Sequence, residues 1–388
     1  IDPEKRKKIL TSATRVFSEK GFVDATIFDI GNGADIVASG VYKHFSGKEE
    51  ILFTIIESFL TESFEKLSDH LEGIRGAENK LRKAIWFHCK EYSKNKQLIK
   101  IVLESRSYLR FYQSTAHEAM RRYAALYTDM IREGMDQGEI LGLSSPELLR
   151  DMILGTVDHI AINWTMKDAP NTLDQADKIF EMVMDAVRPV SDPGRPLSKK
   201  DAKRARIIEV ASDLFAEKGF NDTSMMEIAK VAEVAEGTVY EYFGNKEQLL
   251  ITIPNVKLGE LHNHISGVDV EKRLRIIIAD IFHFYQKEKQ FTKILVLMLR
   301  ANRRFHFSES NQIIDSLFGV LSDLIRCGQK ARLFKDDLDL SICQHLLFGT
   351  VDHVIIPWIM FERDYDFKSI GTAVADLFIN AIKSRTPF

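Results

Sequence analysis

The chain has 388 residues, 45% of them apolar and 28% charged, with a formal net charge of −3. That length and apolar content supply two or three cored domains, and the near-neutral balance excludes a protein that holds nucleic acid or membrane through global charge. The three cysteines, Cys89, Cys327 and Cys343, are odd in number and widely spaced. They form neither a disulfide framework nor a metal site, and they fit a reducing cytosol as buried thiols.

Apolar residues recur at spacings of three and four almost throughout, and strand patterns are scarce, so the chain reads as all-α. Ile9, Leu10, Ala13, Val16 and Phe17 form one stripe of a first helix. Gly21 follows its last apolar turn and suits the left-handed conformation that ends a helix, with Phe22 folding back onto it. Thr26-x-x-Asp29 caps a second helix, whose inward residues are Ile30 and Ala34. Gly31 and Gly33 inside that helix should each cost roughly 1 kcal/mol relative to alanine, which predicts a soft first head. A short third helix carries Val41-Tyr42 and ends at Phe45, and a long connector helix opens near Lys48-Glu49. Longer amphipathic helices make a larger body up to residue 188.

The pattern is then written again. Residues 13–52 align without a gap to 211–250 at an offset of 198, with 15 of 40 positions identical. LGTVDHIAINWTM at 154–166 returns as FGTVDHVIIPWIM at 348–360. Such self-similarity marks a tandem duplication. Between the copies, RPVSDPGRPLSKKD at 188–201 fits no regular element and reads as a linker, whose dozen or so residues reach roughly 40 Å when extended. The expected domains are a helix-turn-helix head at 1–52, a helical body at 53–188, a linker at 189–200, a second head at 201–250 and a second body at 251–388. No apolar run reaches the roughly 18 residues that span a bilayer, and the amino terminus lacks a signal-peptide core. The expectation is a cytoplasmic protein without a membrane.

Gly155-Thr-Val-Asp158-His159 and Gly349-Thr-Val-Asp352-His353 sit mid-helix, where glycine is unfavourable unless another backbone comes close. They predict a seam in which helices at about 146–168 and 173–188 pair with those at about 338–363 and 370–384 as a four-helix bundle. The Asp-His steps read as satisfied structural pairs, with a pocket lining or a metal as the alternative. Trp86, Phe87, Tyr108, Phe111, His159 and Trp164 in the first body are candidates to line a mostly apolar effector pocket. So are Phe282, Tyr285, Phe305, His353 and Trp358 in the second; aromatics at helical spacing serve equally as core.

A helix, Gly-Phe, a capped Thr/Ser-x-x-acid-Ile helix, then Gly-Thr-hydrophobic-Tyr-x-x-Phe-x-x-Lys-Glu: by these motifs the sequence resembles the TetR family of bacterial transcriptional repressors. Residues 211–250 carry Phe215, Gly219-Phe220, Ser224, Ile228-Ala229, Gly237-Thr238-Val239-Tyr240, Phe243 and Lys246-Glu247. Residues 13–52 keep Phe17, Gly21-Phe22, Thr26, Ile30, Val41-Tyr42, Phe45 and Lys48-Glu49, with Ser39-Gly40 in place of Gly-Thr. Each body is similar to the family's helical ligand and dimerisation domain. The runs 80–112 and 273–307 most resemble the branch that senses fatty acyl-CoA.

The resemblance implies an all-α fold of two units, each with a three-helix head and a helical body, arranged as an intrachain pseudo-dimer. It implies a repressor whose heads sit in successive major grooves of double-stranded DNA, roughly 34–36 Å apart, and which a small apolar effector releases. At the heads it implies phosphate contacts by Tyr42, Lys48, Tyr240 and Lys246, with Thr26 and Ser224 placed for the same work. It also implies base contacts from the third helices, among Ser39, Lys43, His44, Gly237, Thr238 and Tyr242. Lysine suits phosphate because it releases counterions, and a helix fits the major groove. Further cations cluster at Lys5, Arg6, Lys7 and Lys8, and at Lys199, Lys200, Lys203, Arg204 and Arg206.

The heads differ at Ala38/Glu236, Lys43/Glu241 and His44/Tyr242, which predicts an imperfect palindrome as the operator, read by a single chain. Glu236 and Glu241 would repel phosphate unless they accept a cytosine amine. The competing reading is a ligand-binding or scaffold protein whose heads no longer read DNA. An enzyme is not expected, since no phosphate loop, metal-ligand spacing or nucleophile motif occurs, and neither a cofactor nor a metal is called for.

Overall fold

The computed structural model describes residues 2–167, 169–187, 207, 210, 211, 214, 223–246, 248, 249, 270–299, 309–331 and 333–384. The linker, most of the second head's first helix and Phe305 lie outside the described residues, as do the side chains of Thr238, Glu241 and Tyr242. Among the described residues every regular element is helical, apart from one isolated bridge between Phe334 and Lys383.

In the first head, α1 (Pro3–Asp24) is capped by Asp2, which accepts from the Glu4 and Lys5 amides. It breaks at Gly21, whose φ of 79° ends the regular turn as a left-handed glycine should. Phe22 returns against Phe17 with ring centroids 5.5 Å apart. The helices α2 (Ile27–Ala34) and α3 (Ala38–Val41) bury Ile30, Ala34 and Val41 in one core with Ile9, Ala13 and Phe17. The two glycines of α2 are sites of close approach rather than weak points. A Cβ on Gly33 would overlap Ser12 Oγ and stand 2.7 Å from Arg15 Nη2, and one on Gly31 would stand 2.5 Å from the Ile36 carbonyl oxygen. Ser12 donates to the Ile30 carbonyl at 2.8 Å. The contact between α1 and α2 thus offsets the propensity that glycine loses.

The first body comprises α4 (Lys48–Leu71), α5 (Ala77–Lys94), α6 (Lys96–Ser105), α7 (Thr115–Asp136), α8 (Pro146–Lys167) and α9 (Ala176–Ala186). In the second copy the described elements are α10 (Met225–Val231) and α11 (Glu236–Phe243) of the head, followed by α12 (Val270–Lys287), α13 (Lys289–Lys293), a π turn (Ile294–Leu299), α14 (Glu309–Lys330), α15 (Leu340–Phe361) and α16 (Phe367–Ile382). The bodies register at an offset of 193 as far as Ile101/Ile294 and of 194 from Val102/Val296 onward. The extra residue, Leu295, falls inside the π turn, where the wider i→i+5 winding accommodates it.

One continuous apolar core runs through both bodies. Its centre is the crossing of α8 over α15, where a Cβ on Gly155 would overlap the Gly349 carbonyl and one on Gly349 would overlap that of Gly155. The two backbones therefore touch. The helices α9 and α16 pack beside this crossing and complete the four-helix arrangement. Lys178 pairs with Asp339 at 2.7 Å, Lys335 pairs with Asp185, and Lys167 pairs with Asp315 at 3.5 Å across the same junction. By length and composition α15 is apolar enough to cross a membrane, contrary to the reading of the sequence. Most of it is buried in the body, and its apolar surface faces α8.

Candidate nucleic-acid interface and effector region

On the first head, Ser39, Tyr42 and Lys43 are exposed along α3 and the turn after it, with Tyr42 at 57%. His44 is half-buried, and its carbonyl accepts from Arg6 Nη1 at 3.0 Å while the Arg6 guanidinium lies 4.1 Å from the Phe45 ring centre. Arg6 of the basic run thus fixes the end of α3. Thr26 is an exposed cap: its hydroxyl accepts from the Asp29 amide at 3.1 Å and donates to Asp29 Oδ2 at 2.8 Å. In the second head Ser224 caps α10 by accepting from the Glu227 amide, Gly237 faces open space, and Tyr240 is 46% exposed.

Lys48, expected at a phosphate, is engaged inside the head. Its Nζ donates to the carbonyls of Phe22, Val23 and Ala25 at 2.8, 2.8 and 3.0 Å and lies 4.8 Å from the Phe22 ring centre. An ammonium has three protons, and these partners take all of them. Orphan carbonyls at the end of α1 attract a cation for the reason any helix C-terminus does. Lys246 repeats the arrangement, donating to Thr223 at 2.9 Å.

The described aromatic residues expected to line a pocket in each body do not converge. Tyr108 packs tilted against Phe22 with ring centroids 4.8 Å apart and Phe111 is buried in the core of the first head, so both join head to body. Trp86 is half-buried between the ammonium groups of Lys83 and Lys90, each 4.5 Å from its ring, and Trp164 is half-buried near Lys96. Phe87 is core and meets His70. Phe282 and Trp358 both pack on Phe367, and Tyr285 is buried in the second body. Their helical spacing reflects core packing.

Of the described candidates, His159 and His353 come together at the seam, around a cavity of about 40 Å³ whose lining includes Arg106, Asp158, Ile162 and Asp352. Asp158 accepts from Tyr92 OH at 3.0 Å, from Arg106 Nη1 at 2.6 Å and from His353 Nε2 at 2.7 Å. Burial alone would raise this carboxyl, but Arg106 and His353 outweigh it and hold Asp158 far below the usual carboxylate range. Asp158 is therefore paired with His353 of the other half rather than with its neighbour His159. His159 Nδ1 meets His345 Nδ1 at 2.9 Å, and burial pushes His345 down to about 4, so that ring is neutral near pH 7.

A second polar cluster, which the spacing alone did not single out, lies inside the first body. His88 on α5 is buried among Tyr92, Tyr123 and Tyr127, with ring centroids 4.3, 5.5 and 6.2 Å away. The pair Tyr123 and Tyr127, one helical turn apart on α7, was its only sequence signal. The body is tied to the head through α6, where Lys100 donates to the Ser18 carbonyl at 2.6 Å, and Arg110 pairs with Glu49 at the start of α4 at 2.7 Å.

Two capped helix-turn-helix heads, each followed by a helical body, define a duplicated DNA-binding regulator. The chain matches the sequence model of bacterial regulatory proteins of the tetR family over residues 9–55 and 207–253. It matches that of the YsiA-like protein C-terminal region over 57–186 and 257–381. It belongs to the TetR family of transcriptional regulators, as a tandem fusion of two units. The fatty acid metabolism regulator protein of Bacillus subtilis is 27% identical over 194 residues, spanning 49% of this chain and 100% of its own. The uncharacterised regulator YuxN of the same organism is 49% identical over 66 residues, 17% of this chain and 23% of its own. Among solved structures, FadR from Bacillus subtilis in complex with stearoyl-CoA has 23% identity and a TM-score of 0.43, covering 46% of this chain and 97% of its own.

Proposed function

We propose that one copy of this chain acts as a ligand-responsive repressor, its two heads serving as the pair that a homodimer would otherwise supply. The observation that carries the reading is the backbone contact of Gly155 with Gly349 inside a core shared by both bodies. A chain that fills its own dimerisation face has no need of a second copy to hold two heads. Ser39, Tyr42, Lys43 and His44 on the first head, and Gly237, Thr238, Tyr240 and Tyr242 on the second, are the proposed DNA contacts. Thr26 and Ser224 remain candidates through their free lone pairs, whereas Lys48 and Lys246 act by holding each head together. The differences at Ala38/Glu236, Lys43/Glu241 and His44/Tyr242 favour an imperfect palindrome.

For the effector, the full-length similarity to a regulator of fatty acid metabolism supports a long-chain acyl thioester. Its route to DNA is α6, which touches both the seam, through Arg106, and the first head, through Lys100. The test is duplex affinity measured against salt, with and without acyl-CoA. Affinity should fall steeply with salt and drop when the thioester is added. A scaffold with inert heads gives no slope, and that result would overturn the proposal.

A further inference from the structure

We infer that the first body alone holds a polar effector subsite, in which His88 Nε2 accepts a hydrogen bond from a donor group on an otherwise apolar ligand. The inference rests on the reading of the chain as an effector-responsive regulator, and adds the chemistry and the stoichiometry of that effector.

Proton accounting around His88 sets the chemistry. Tyr127 has a single hydroxyl proton, and it goes to the Ala84 carbonyl at 2.9 Å. The same oxygen stands 3.4 Å from His88 Nδ1, so it accepts there and Nδ1 carries the ring proton. Burial pushes His88 down to about 4, leaving the ring neutral near pH 7. Nε2 is then a bare lone pair. It is buried and has no partner, and the Tyr92 hydroxyl gives its proton to Asp158. Buried acceptors are nearly always satisfied. The complementary partner is a donor, an amide N–H or a hydroxyl, carried by a ligand apolar enough to sit among Tyr92, Tyr123 and the surrounding core.

At the equivalent position the second body has no such acceptor. Ile85/Ile278 and Tyr92/Tyr285 fix the register of α5 on α12, and Ile131/Ile325 and Gly134/Gly328 fix that of α7 on α14. In that register His88 becomes Ile281, Tyr123 becomes Leu317 and Tyr127 becomes Leu321. The whole polar trio is replaced by apolar side chains, although Tyr92 is retained as Tyr285. Among the described residues, two bodies of common origin therefore differ in this polar group, and the expectation is one ligand per chain.

A plain acyl chain carries no donor, so the donor comes either from a hydroxyl on the chain or from an amide of the thioester's carrier arm. Calorimetry of the full chain with palmitoyl-CoA and with 3-hydroxypalmitoyl-CoA separates the two. Tighter binding of the hydroxylated compound assigns the donor to the chain, and equal binding assigns it to the arm. In either case the expected stoichiometry is one, and His88→Ile, which copies the second body, weakens the bound compound about tenfold, the equivalent of one hydrogen bond. Imidazole nitrogen NMR of the unaltered, 15N-histidine-labelled chain needs no folded variant. There the His88 Nε2 resonance should move from the unprotonated towards the protonated range when ligand is added. Two equivalent ligands per chain, or a bound ligand that releases DNA yet leaves Nε2 unmoved, would overturn the subsite while leaving the functional reading intact. Failure of both thioesters to bind or to release DNA overturns that reading and the subsite together.

Discussion

Gly155→Ala tests the seam, because the same substitution has opposite signs at two glycines of this chain. In an exposed helix interior, alanine in place of glycine stabilises by about 1 kcal/mol. Gly319, in the middle of α14, is exposed and has nothing within 4 Å of an added Cβ, so Gly319→Ala should give that gain. At Gly155 the added methyl overlaps the Gly349 carbonyl and stands 3.0 Å from the Thr350 amide nitrogen. Both are backbone atoms that no rotamer change removes. The helices must part by on the order of 1 Å, and dispersion falls off steeply over such a gap. Overpacking of this kind costs about 1–3 kcal/mol. With the propensity gain subtracted, Gly155→Ala should be neutral to about 2 kcal/mol destabilising, and Gly155→Leu, with three further carbons to place, far worse. Urea denaturation of the three variants, with molar mass followed in parallel for exchange of halves between chains, gives the answer. If Gly155→Ala gains as much stability as Gly319→Ala, the backbone contact does not exist and the account of the seam is wrong.

Lys48→Met removes three hydrogen bonds to carbonyls and should lower the stability of the first head by about 2 kcal/mol, while the salt slope of DNA binding stays unchanged. Lys43→Ala should do the reverse, reducing that slope by about 1 without a change in melting temperature; equal slope losses would mean that Lys48 reaches a phosphate. Asp158→Leu strands the Arg106 guanidinium beside the seam and should cost about 3–5 kcal/mol, measurable by urea denaturation. Acid should also destabilise the chain. His88 and His345 are pushed down to about 4 from an ordinary 6.5, so between those values the unfolded chain binds more protons and stability falls as pH drops. Glu104, pushed up to about 7 by burial, opposes this with one group against two. The net loss between about pH 6.5 and 4.5 is therefore on the order of 3 kcal/mol, and a stability that rises on acidification would contradict the burial of both histidines.

The seam was legible because the same five residues, Gly-Thr-Val-Asp-His, recur in each half, and a glycine held mid-helix points to a close neighbour. The partners of Asp158 were not, since Arg106 and His353 reach it from another helix and from the other half of the chain. Gly31 and Gly33 were misjudged for a related reason. Propensity counts what a residue does to its own helix, whereas the close contacts are with Ser12 on α1 for Gly33 and with the Ile36 carbonyl for Gly31. Lys48 fits a phosphate by its charge and position, yet the carbonyls at the end of α1 are nearer and need a cation as much as a phosphate does. The aromatic residues scattered because helical spacing specifies a face, not which neighbour that face meets. The acceptor at His88 was not legible, because which imidazole nitrogen carries the proton depends on Tyr127 and the Ala84 carbonyl, which sequence spacing does not bring together.

If one chain supplies both heads of the proposed DNA-bound pair, light scattering of the saturated complex with an operator duplex should find a single 44.4 kDa chain per duplex, unchanged on dilution. Two chains per duplex would show that each chain lends only one head.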